Sequence, residues 1–362
     1  MASQCGEEAR RDGPQSRPGP RLDRLNAATY TPRVVKRGPL PTTTPCSLCA
    51  GEDLTFLYKQ KDRNGHLIRL TVCNRCGLTQ LNPRREDDAE TDFYAADYNQ
   101  IFQQHARSLN PSKVARRTEI AVGLLDAVDE LVPLAGARVV DIGCGYGHLL
   151  GEARARGASV AGVEPDRRAA ASARDAGFDV FAGSLQEFAR QASRPFDVVT
   201  ISHVVEHIGN PIPFLETAGG LLRPSGVVAV QVPNLEHYLA VGKHPDKAHS
   251  AHVAYHTEAT LRGLFAVSGL SVASSGPAQS GRHVYAVGQP AAGPVPVTLP
   301  FEDPNRIRAA HVAAIRRLPI LRARRQLERT RKVLRKTLKQ ANNAFKKNAV
   351  AVRNALRGQR SP

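Results

Sequence analysis

Between residues 137 and 288, short apolar runs alternate with stretches whose apolar residues recur at helical spacing. The runs Arg138–Ile142, Ser159–Val163, Asp179–Ala182, Phe196–Ser202 and Val227–Val232 read as buried strands. The Ala-rich stretches Leu149–Arg156 and Arg167–Ala176 read as helices. This alternation predicts a parallel sheet with helices on both faces. Leu270–Ala273 and His283–Val287, with Gly276-Pro277 between them, predict a hairpin that closes the sheet edge with one antiparallel strand. Upstream, Ile120, Leu124, Leu125, Val128 and Leu131 fall at helical spacing over Ala115–Leu131, and Pro133 ends the run. Leu54–Tyr58 and His66–Val72 read as two strands joined at Asn64-Gly65, a strong hairpin signal. From Leu334 the apolar positions 334, 338, 341, 345, 349, 352 and 356 form a helical stripe, and residues 320–357 as one helix would be about 57 Å long.

Composition divides this pattern into segments. Residues 1–45, rich in Pro, Gly, Arg and Thr, have too few large apolar residues to offset chain entropy and are expected to be a disordered leader. Residues 83–134 form a helical connector, 135–289 the alternating domain, 290–305 a Pro/Gly/Ala/Val-rich linker, and 306–362 a basic tail. The net charge of +17 lies entirely in that tail, which holds 18 Lys and Arg against one acid, Glu328. The rest of the chain is neutral, so a protein basic throughout is excluded. No apolar run is long enough to span a bilayer, and no apolar segment near the start marks an export signal. A cytoplasmic location is expected.

Four of the six cysteines form two C-x-x-C pairs, Cys46/Cys49 and Cys73/Cys76. A β-hairpin linking two such knuckles is the pattern of a zinc ribbon, assigned to residues 46–82. Four thiolates leave no open position, so the predicted zinc is structural. The competing readings are two disulfides or redox dithiols, which the lack of an export signal disfavours. Cys5 falls in the leader.

The most informative stretch is Asp141-Ile142-Gly143-Cys144-Gly145-Tyr146-Gly147, a strand end followed by Gly-x-Gly-x-Gly opening a helix. Glu164 ends the second strand, 17 residues after Gly147, where a carboxylate can accept from both hydroxyls of a ribose. Asp141 would repel a pyrophosphate but suits the cationic methionine end of S-adenosylmethionine (SAM). With these residues the chain resembles the Rossmann-like SAM-dependent methyltransferases over about residues 46–288. Gly162-Val163-Glu164-Pro165, Phe196-Asp197-Val198-Val199 through Val204-Val205-Glu206-His207-Ile208, and Leu221–Gly226 with Val232-Pro233-Asn234 carry the rest of the resemblance. It implies an α/β fold: a doubly wound sheet with its last strand antiparallel, preceded by a small zinc ribbon and followed by the basic helical tail. It also implies that Asp141, Gly143, Gly145, Gly147, Glu164, Ser184 and His203 bind SAM. Ser184 stands where relatives often carry an acidic residue, and Cys144 fills a variable position with no nucleophilic role.

Cys73-Asn74-Arg75-Cys76-Gly77-Leu78, Asn82-Pro83-Arg84, Phe93-Tyr94 and Tyr98 resemble a ribbon-bearing subset whose members act on sugars, polysaccharides or secondary metabolites. Tyr94 and Tyr98 are candidates for a lid, or for packing between domains. Methyl transfer to a hydroxyl needs a base, and two histidine clusters stand out. His203, Glu206 and His207 lie at the end of the fourth strand, where ligands sit in such sheets. The Glu206-His207 pair resembles that of quinone-pathway O-methyltransferases. His244, His249, His252 and His256 lie in the loop after the fifth strand. That loop resembles the one in ribbon-bearing sugar C-methyltransferases, but Ala251 replaces their Glu. O-methylation is therefore expected, with His252 the first candidate base and His207 the second.

The tail has four readings: a helix lying on an anionic membrane surface, an RNA-binding helix, a short coiled coil, or a solvated segment. Phe345 is its single aromatic residue, which disfavours base stacking and hence nucleic acid. The expected protein is thus a SAM-dependent methyltransferase, peripheral at the inner face of the membrane, acting on a hydroxyl of a sugar, glycan, glycolipid or related metabolite. The alternatives are an RNA methyltransferase and a non-catalytic adaptor that keeps the fold.

Overall fold

The computed structural model describes residues 43–62, 64–84, 111–278 and 281–358. The leader before residue 43, Cys5, and the lid candidates Tyr94 and Tyr98 lie outside these residues.

Three strands open the chain, β1 (Leu54–Lys61), β2 (Leu67–Cys73) and β3 (Thr79–Leu81). Helix α1 (Pro111–Asp129) follows. Then come β4 (Arg138–Ile142), α2 (His148–Ala155), β5 (Ser159–Glu164), α3 (Arg167–Asp175), β6 (Asp179–Ala182) and α4 (Leu185–Ala189). The chain continues through β7 (Phe196–Ser202), α5 (Pro211–Gly219), β8 (Leu222–Pro233), α6 (Leu235–Ala240), α7 (His244–Lys247) and β9 (Ala254–Tyr255). It ends with α8 (Glu258–Val267), β10 (Leu270–Ala278), β11 (His283–Pro290) and α9 (Pro304–Gly358).

The large sheet has seven strands in the order β10-β11-β8-β7-β4-β5-β6. β4 to β8 pair in parallel, and β11 runs antiparallel between β8 and β10. This is the expected α/β architecture. The hairpin turn differs in place: Gly276 and Pro277 lie within β10, paired with Tyr285 and Val284. Proline is accepted there because β10 is the edge strand, where one face of the ladder needs no donor. The strands are apolar on both faces because helices cover both, so Val139, Val140, Val198, Val199, Val228 and Val230 are fully buried. Helix α1 lays Leu124, Leu125 and Val128 onto this sheet but stops at Asp129. Leu131 is therefore exposed rather than part of the stripe, and Asp129 Oδ1 accepts from the Leu134 amide at 2.7 Å.

The small sheet has the order β1-β2-β3-β9, all antiparallel. Its fourth strand comes from residues more than 170 positions downstream, with Thr79 opposite Tyr255. The ribbon is thus joined to the loop after β8. Cys46, Leu48, Cys73, Cys76 and Leu78 belong to the same buried cluster as Ile142, Ile201 and Val232. Each fully buried Leu here contributes about 1.5–3 kcal/mol.

The stretch expected as a linker makes contacts of its own. Phe301 packs on Gly263, where no Cβ would fit, and the Glu302 amide donates to the Cys76 carbonyl at 3.2 Å. The tail differs from expectation in its first turns. Ile307, His311, Ala314 and Leu318 of α9 are buried, and His311 Nε2 lies 3.3 Å from Thr79 Oγ1 of the ribbon. Beyond Arg322, which pairs with Asp246 at 2.9 Å, the described side chains of α9 are exposed. Among the described residues no helix is long and apolar enough to cross a membrane.

Candidate active site

A cavity of about 430 Å³ opens at the carboxyl ends of β4, β5 and β7, the edge where ligands bind in open α/β sheets. The glycine loop forms its floor. Gly143 has φ 76° and its Cβ would drive into Val204, so only glycine fits. Gly145, at φ 54°, faces open space: nothing lies within 4 Å of where a Cβ would stand, and the backbone is left free for close approach of a ligand. Gly147 is the N-cap of α2, packed against Phe178, and supports the loop from outside the cavity lining. Cys144 turns its sulfur toward Gly162, and burial pushes its thiol up, so it stays a neutral packing residue.

Two carboxylates face this cavity. Glu164 accepts from the Gly145 amide at 2.8 Å and the Asp166 amide at 2.9 Å, one on each oxygen. Burial raises its pKa, and these two amides pull against the rise. Asp141 accepts from Thr200 Oγ1 at 2.8 Å. Burial pushes Asp141 up to about 7; the Thr200 hydrogen bond opposes this and the Glu164 charge adds to it. Two buried carboxylates sharing a cleft are relieved by a ligand that brings a cation and hydroxyl donors. SAM brings both, so the residues present fit it. Ser184 lines the cavity too, but its hydroxyl is committed to a capping box with Glu187 at the start of α4.

Thr200, Arg117 and Tyr146 were missed from sequence. Thr200 is hidden in an apolar strand run, and its only signal is a lone hydroxyl between valine and isoleucine. Arg117 lies over the Tyr146 ring at 5.8 Å and both line the cavity, Arg117 from α1.

The second part of the site is a group of histidines around one acid. β7 ends at Ser202, and His203 follows with φ 59°, a left-handed conformation that is strained for a residue with a Cβ. A single 3-10 turn over Val205–His207 then buries Glu206 to 1% exposure. Glu206 Oε1 lies 3.2 Å from His203 Nδ1 and 4.0 Å from both His207 Nε2 and His252 Nε2. Its Oε2 has no hydrogen-bond partner. Burial pushes Glu206 up, but the hydrogen bond from His203 and the charges of His207 and His203 outweigh it and hold the group below its usual range. His207 Nδ1 donates to the Ala251 carbonyl at 2.9 Å, which leaves Nε2 as the acceptor nitrogen. His203 and His207 line the cavity. His252 does not: it packs edge-on to His207 at 4.6 Å and against His249 at 4.0 Å. Burial first, then the neighbouring histidines, hold His252 well below its usual range, so it is neutral at pH 7.

The loop carrying His252 is pinned from three sides. The Val253 amide donates to the Glu206 carbonyl at 2.8 Å, and the Leu81 amide to the Val253 carbonyl at 2.9 Å. The Ser250 amide and hydroxyl both donate to Asp62 Oδ2 on the ribbon, at 3.0 and 2.8 Å. The ribbon therefore holds the loop that packs His252 against His207.

Among the described residues, two groups of side chains could hold a metal. The four ribbon sulfurs lie within 4.8 Å of one another, with Cys46–Cys76 and Cys49–Cys73 at 3.5 Å. A tetrahedral zinc with bonds near 2.3 Å needs sulfur–sulfur edges of about 3.8 Å, so the cluster fits. The cysteines are free thiols, not disulfides. Glu206, His207 and His252 form the other group, also within 4.8 Å, and a carboxylate with two imidazoles is a donor set divalent ions accept.

Residues 115–275 match the family model described as a methyltransferase domain. The chain carries a methyltransferase domain. The matched stretch runs from within α1 to within β10, so it includes the glycine loop, both carboxylates, His203, His207, His249 and His252. Curated relatives are ubiquinone biosynthesis O-methyltransferases. The one from Aromatoleum aromaticum is 38% identical over 110 residues, 29% of this chain and 47% of that protein. The one from Ruegeria pomeroyi is 31% identical over 160 residues, 41% of this chain and 64% of that protein. The chain thus spans about half the length of the curated relatives it matches. Among solved structures, the 1,6-didemethyltoxoflavin-N1-methyltransferase of Burkholderia thailandensis is 15% identical, with TM-score 0.46, covering 64% of this chain and 99% of that one. The ribbon and α9 lie outside the matched methyltransferase domain.

Proposed function

We propose that the protein is a SAM-dependent O-methyltransferase acting on a hydroxyl of a small molecule, and that this hydroxyl belongs to a sugar, glycan or glycolipid. The observation that carries the reading is the pair of buried carboxylates, Asp141 and Glu164, with raised pKa values around one glycine-floored cavity. SAM, when bound, supplies a methyl group on a cationic sulfur. Asp141 receives the amino group of its methionine end, and Glu164 accepts from ribose hydroxyls with the lone pairs its two amides leave free. Gly145 lets the backbone approach closely.

On the acceptor side, His207 takes precedence over His252 as base. His207 lines the cavity, and its Nδ1 donates to the Ala251 carbonyl, which holds the ring with Nε2 as the nitrogen offered to the acceptor. With SAM bound, the proton that the acceptor hydroxyl loses on methylation would go to His207 Nε2. Glu206 then faces the imidazolium it has helped to stabilise. His252 packs against His207 and keeps that ring in place. The ordinary geometry of in-line transfer supplies much of the acceleration, because donor and acceptor are held together in one cavity.

The relatives named as O-methyltransferases support oxygen as the acceptor atom. The test is transfer of labelled methyl from SAM into a cell extract by the full chain, sorted into lipid, glycan, small-molecule and RNA fractions. Label in the glycan or glycolipid fraction, alkali-stable as an ether, is the expected result. Label confined to RNA contradicts the reading.

A further inference from the structure

Helix α9 has two halves with different surroundings. The first half is built into the body: Ile307, His311, Ala314 and Leu318 are buried, Arg317 reaches the Ala240 carbonyl, and Arg322 pairs with Asp246. From there on, the described side chains face solvent, including large apolar ones. Ile320, Leu327, Leu334 and Leu338 are each about 60% exposed. Isolated exposed leucines are ordinary, but these lie on one line. At 3.6 residues per turn, positions 320, 327, 334 and 338 fall within an arc of about 40°. The sequence continues the line through Ala341, Phe345, Ala349, Val352 and Leu356, widening the arc to about 80°. Among the described side chains, Arg335 and Lys339 lie on the adjoining face beside the stripe. Between 320 and 358 there are 13 cations and one acid, Glu328.

We propose that the second half of α9 lies in the headgroup region of an anionic lipid bilayer, apolar stripe inward, and holds the folded body at that surface. The proposal rests on the helix, not on the methyl-transfer reading. Charge and stripe together select this occupant. A second copy of the helix would bring the same cations together, and Arg324 and Arg331 stand beside the apolar line where a coiled-coil seam must close. A nucleic acid would use the cations but leave Leu327, Leu334 and Leu338 in water. An anionic bilayer takes both: the basic side chains are drawn to the charged surface, and the stripe is buried in the interface. The buried first half then ties the body to the surface through one helix.

The experiment is co-sedimentation of the full chain with vesicles of phosphatidylcholine alone, or of phosphatidylcholine mixed with phosphatidylglycerol. The expected result is at least about tenfold stronger binding to the anionic vesicles, weakening as salt rises. The variant Leu327→Glu/Leu334→Glu/Leu338→Glu should lose at least about tenfold of that binding. Its substitutions sit on exposed positions, so thermal unfolding and SAM affinity should match the wild type. A second variant, Arg331→Glu/Arg335→Glu/Lys339→Glu, should lose binding as well. Equal binding to both vesicle types overturns the proposal. So does a leucine variant that binds like wild type, or an RNA oligomer bound more tightly than the anionic vesicles. A wild-type dimer that the leucine variant dissociates, with no vesicle binding, also overturns it.

Discussion

The two ends of the cleft are built in different ways. The cofactor end is made from consecutive residues: a strand, a glycine loop, a helix, then the acid at the end of the next strand. Asp141, Gly143 and Gly145 lie within five positions, and Glu164 is placed by the parallel pairing of β4 with β5. The other end, proposed to take the acceptor, is assembled from pieces far apart in sequence. Glu206 and His207 come from the turn after β7, His252 from the loop after β8, and the clamp on that loop from Asp62 of the ribbon. One end is a local motif, and the other is a tertiary junction. Substitutions at the first should therefore change ligand affinity, and substitutions at the second should change turnover and acceptor handling.

The largest effect separates the two candidate bases. His207→Ala should lower kcat by about a thousandfold, within the range for loss of a general base, with SAM affinity within about twofold of wild type. His252→Ala should lower kcat by only about tenfold, since that ring supports His207 without lining the cavity. Steady-state kinetics on both variants checks the order. A His252 variant as impaired as the His207 one restores His252 to the role that sequence reasoning assigned to it.

Next in size is a pH effect at the cofactor end. Burial holds Asp141 at about 7 in the folded, ligand-free protein, against an unfolded value near 4. A carboxyl raised in this way keeps a proton that the unfolded chain releases. The ligand-free protein therefore loses stability as pH rises from about 4 to about 7, and recovers it as pH falls through that window. A cation binds the ionised form, so SAM affinity should rise by up to about tenfold per pH unit below pH 7 and level off above it. Titration calorimetry across that window, repeated on Asp141→Asn, reads this directly. The variant should bind more weakly above pH 7 and lose the slope, while a slope that persists points to a different group.

The smallest effect tests whether the ribbon reaches the acceptor. The Asp62 side chain is fully buried and accepts from the Asn64, His66 and Ser250 amides and the Ser250 hydroxyl. Asp62→Ala should raise acceptor KM by about fivefold while SAM affinity stays near wild type, because the hydrogen bonds lost hold only the loop. A change in SAM affinity with no change in acceptor KM would place the coupling elsewhere.

The same contrast explains what the sequence made legible. The glycine loop, Glu164 and the cysteine knuckles are short-range patterns with a physical reason for each residue, and the structure brings Asp141, Glu164, Ser184, His203 and His207 to one cavity. Alternating strands and helices likewise predicted the sheet and its antiparallel strand. The partnership of β3 with β9 left no such trace, since Ala254-Tyr255 is too short to read as a strand. For that reason the sequence did not show that the ribbon and the loop carrying His252 share a sheet. The docking of α9 was hidden similarly: Ile307, His311, Ala314 and Leu318 follow helical spacing, but the cations between them dominated the reading. Ser184 has a second role that the sequence did not show, as the cap of α4.

The central claim is that the Asp141–Glu164 cleft binds SAM, and calorimetric titration of SAM into the full chain tests it most directly. The account predicts saturable binding at one site in the wild type and at least about a hundredfold weaker binding in Glu164→Ala, because charge-assisted hydrogen bonds to the ribose are lost. Absence of binding to the wild type, or equal affinity in the two proteins, would contradict it.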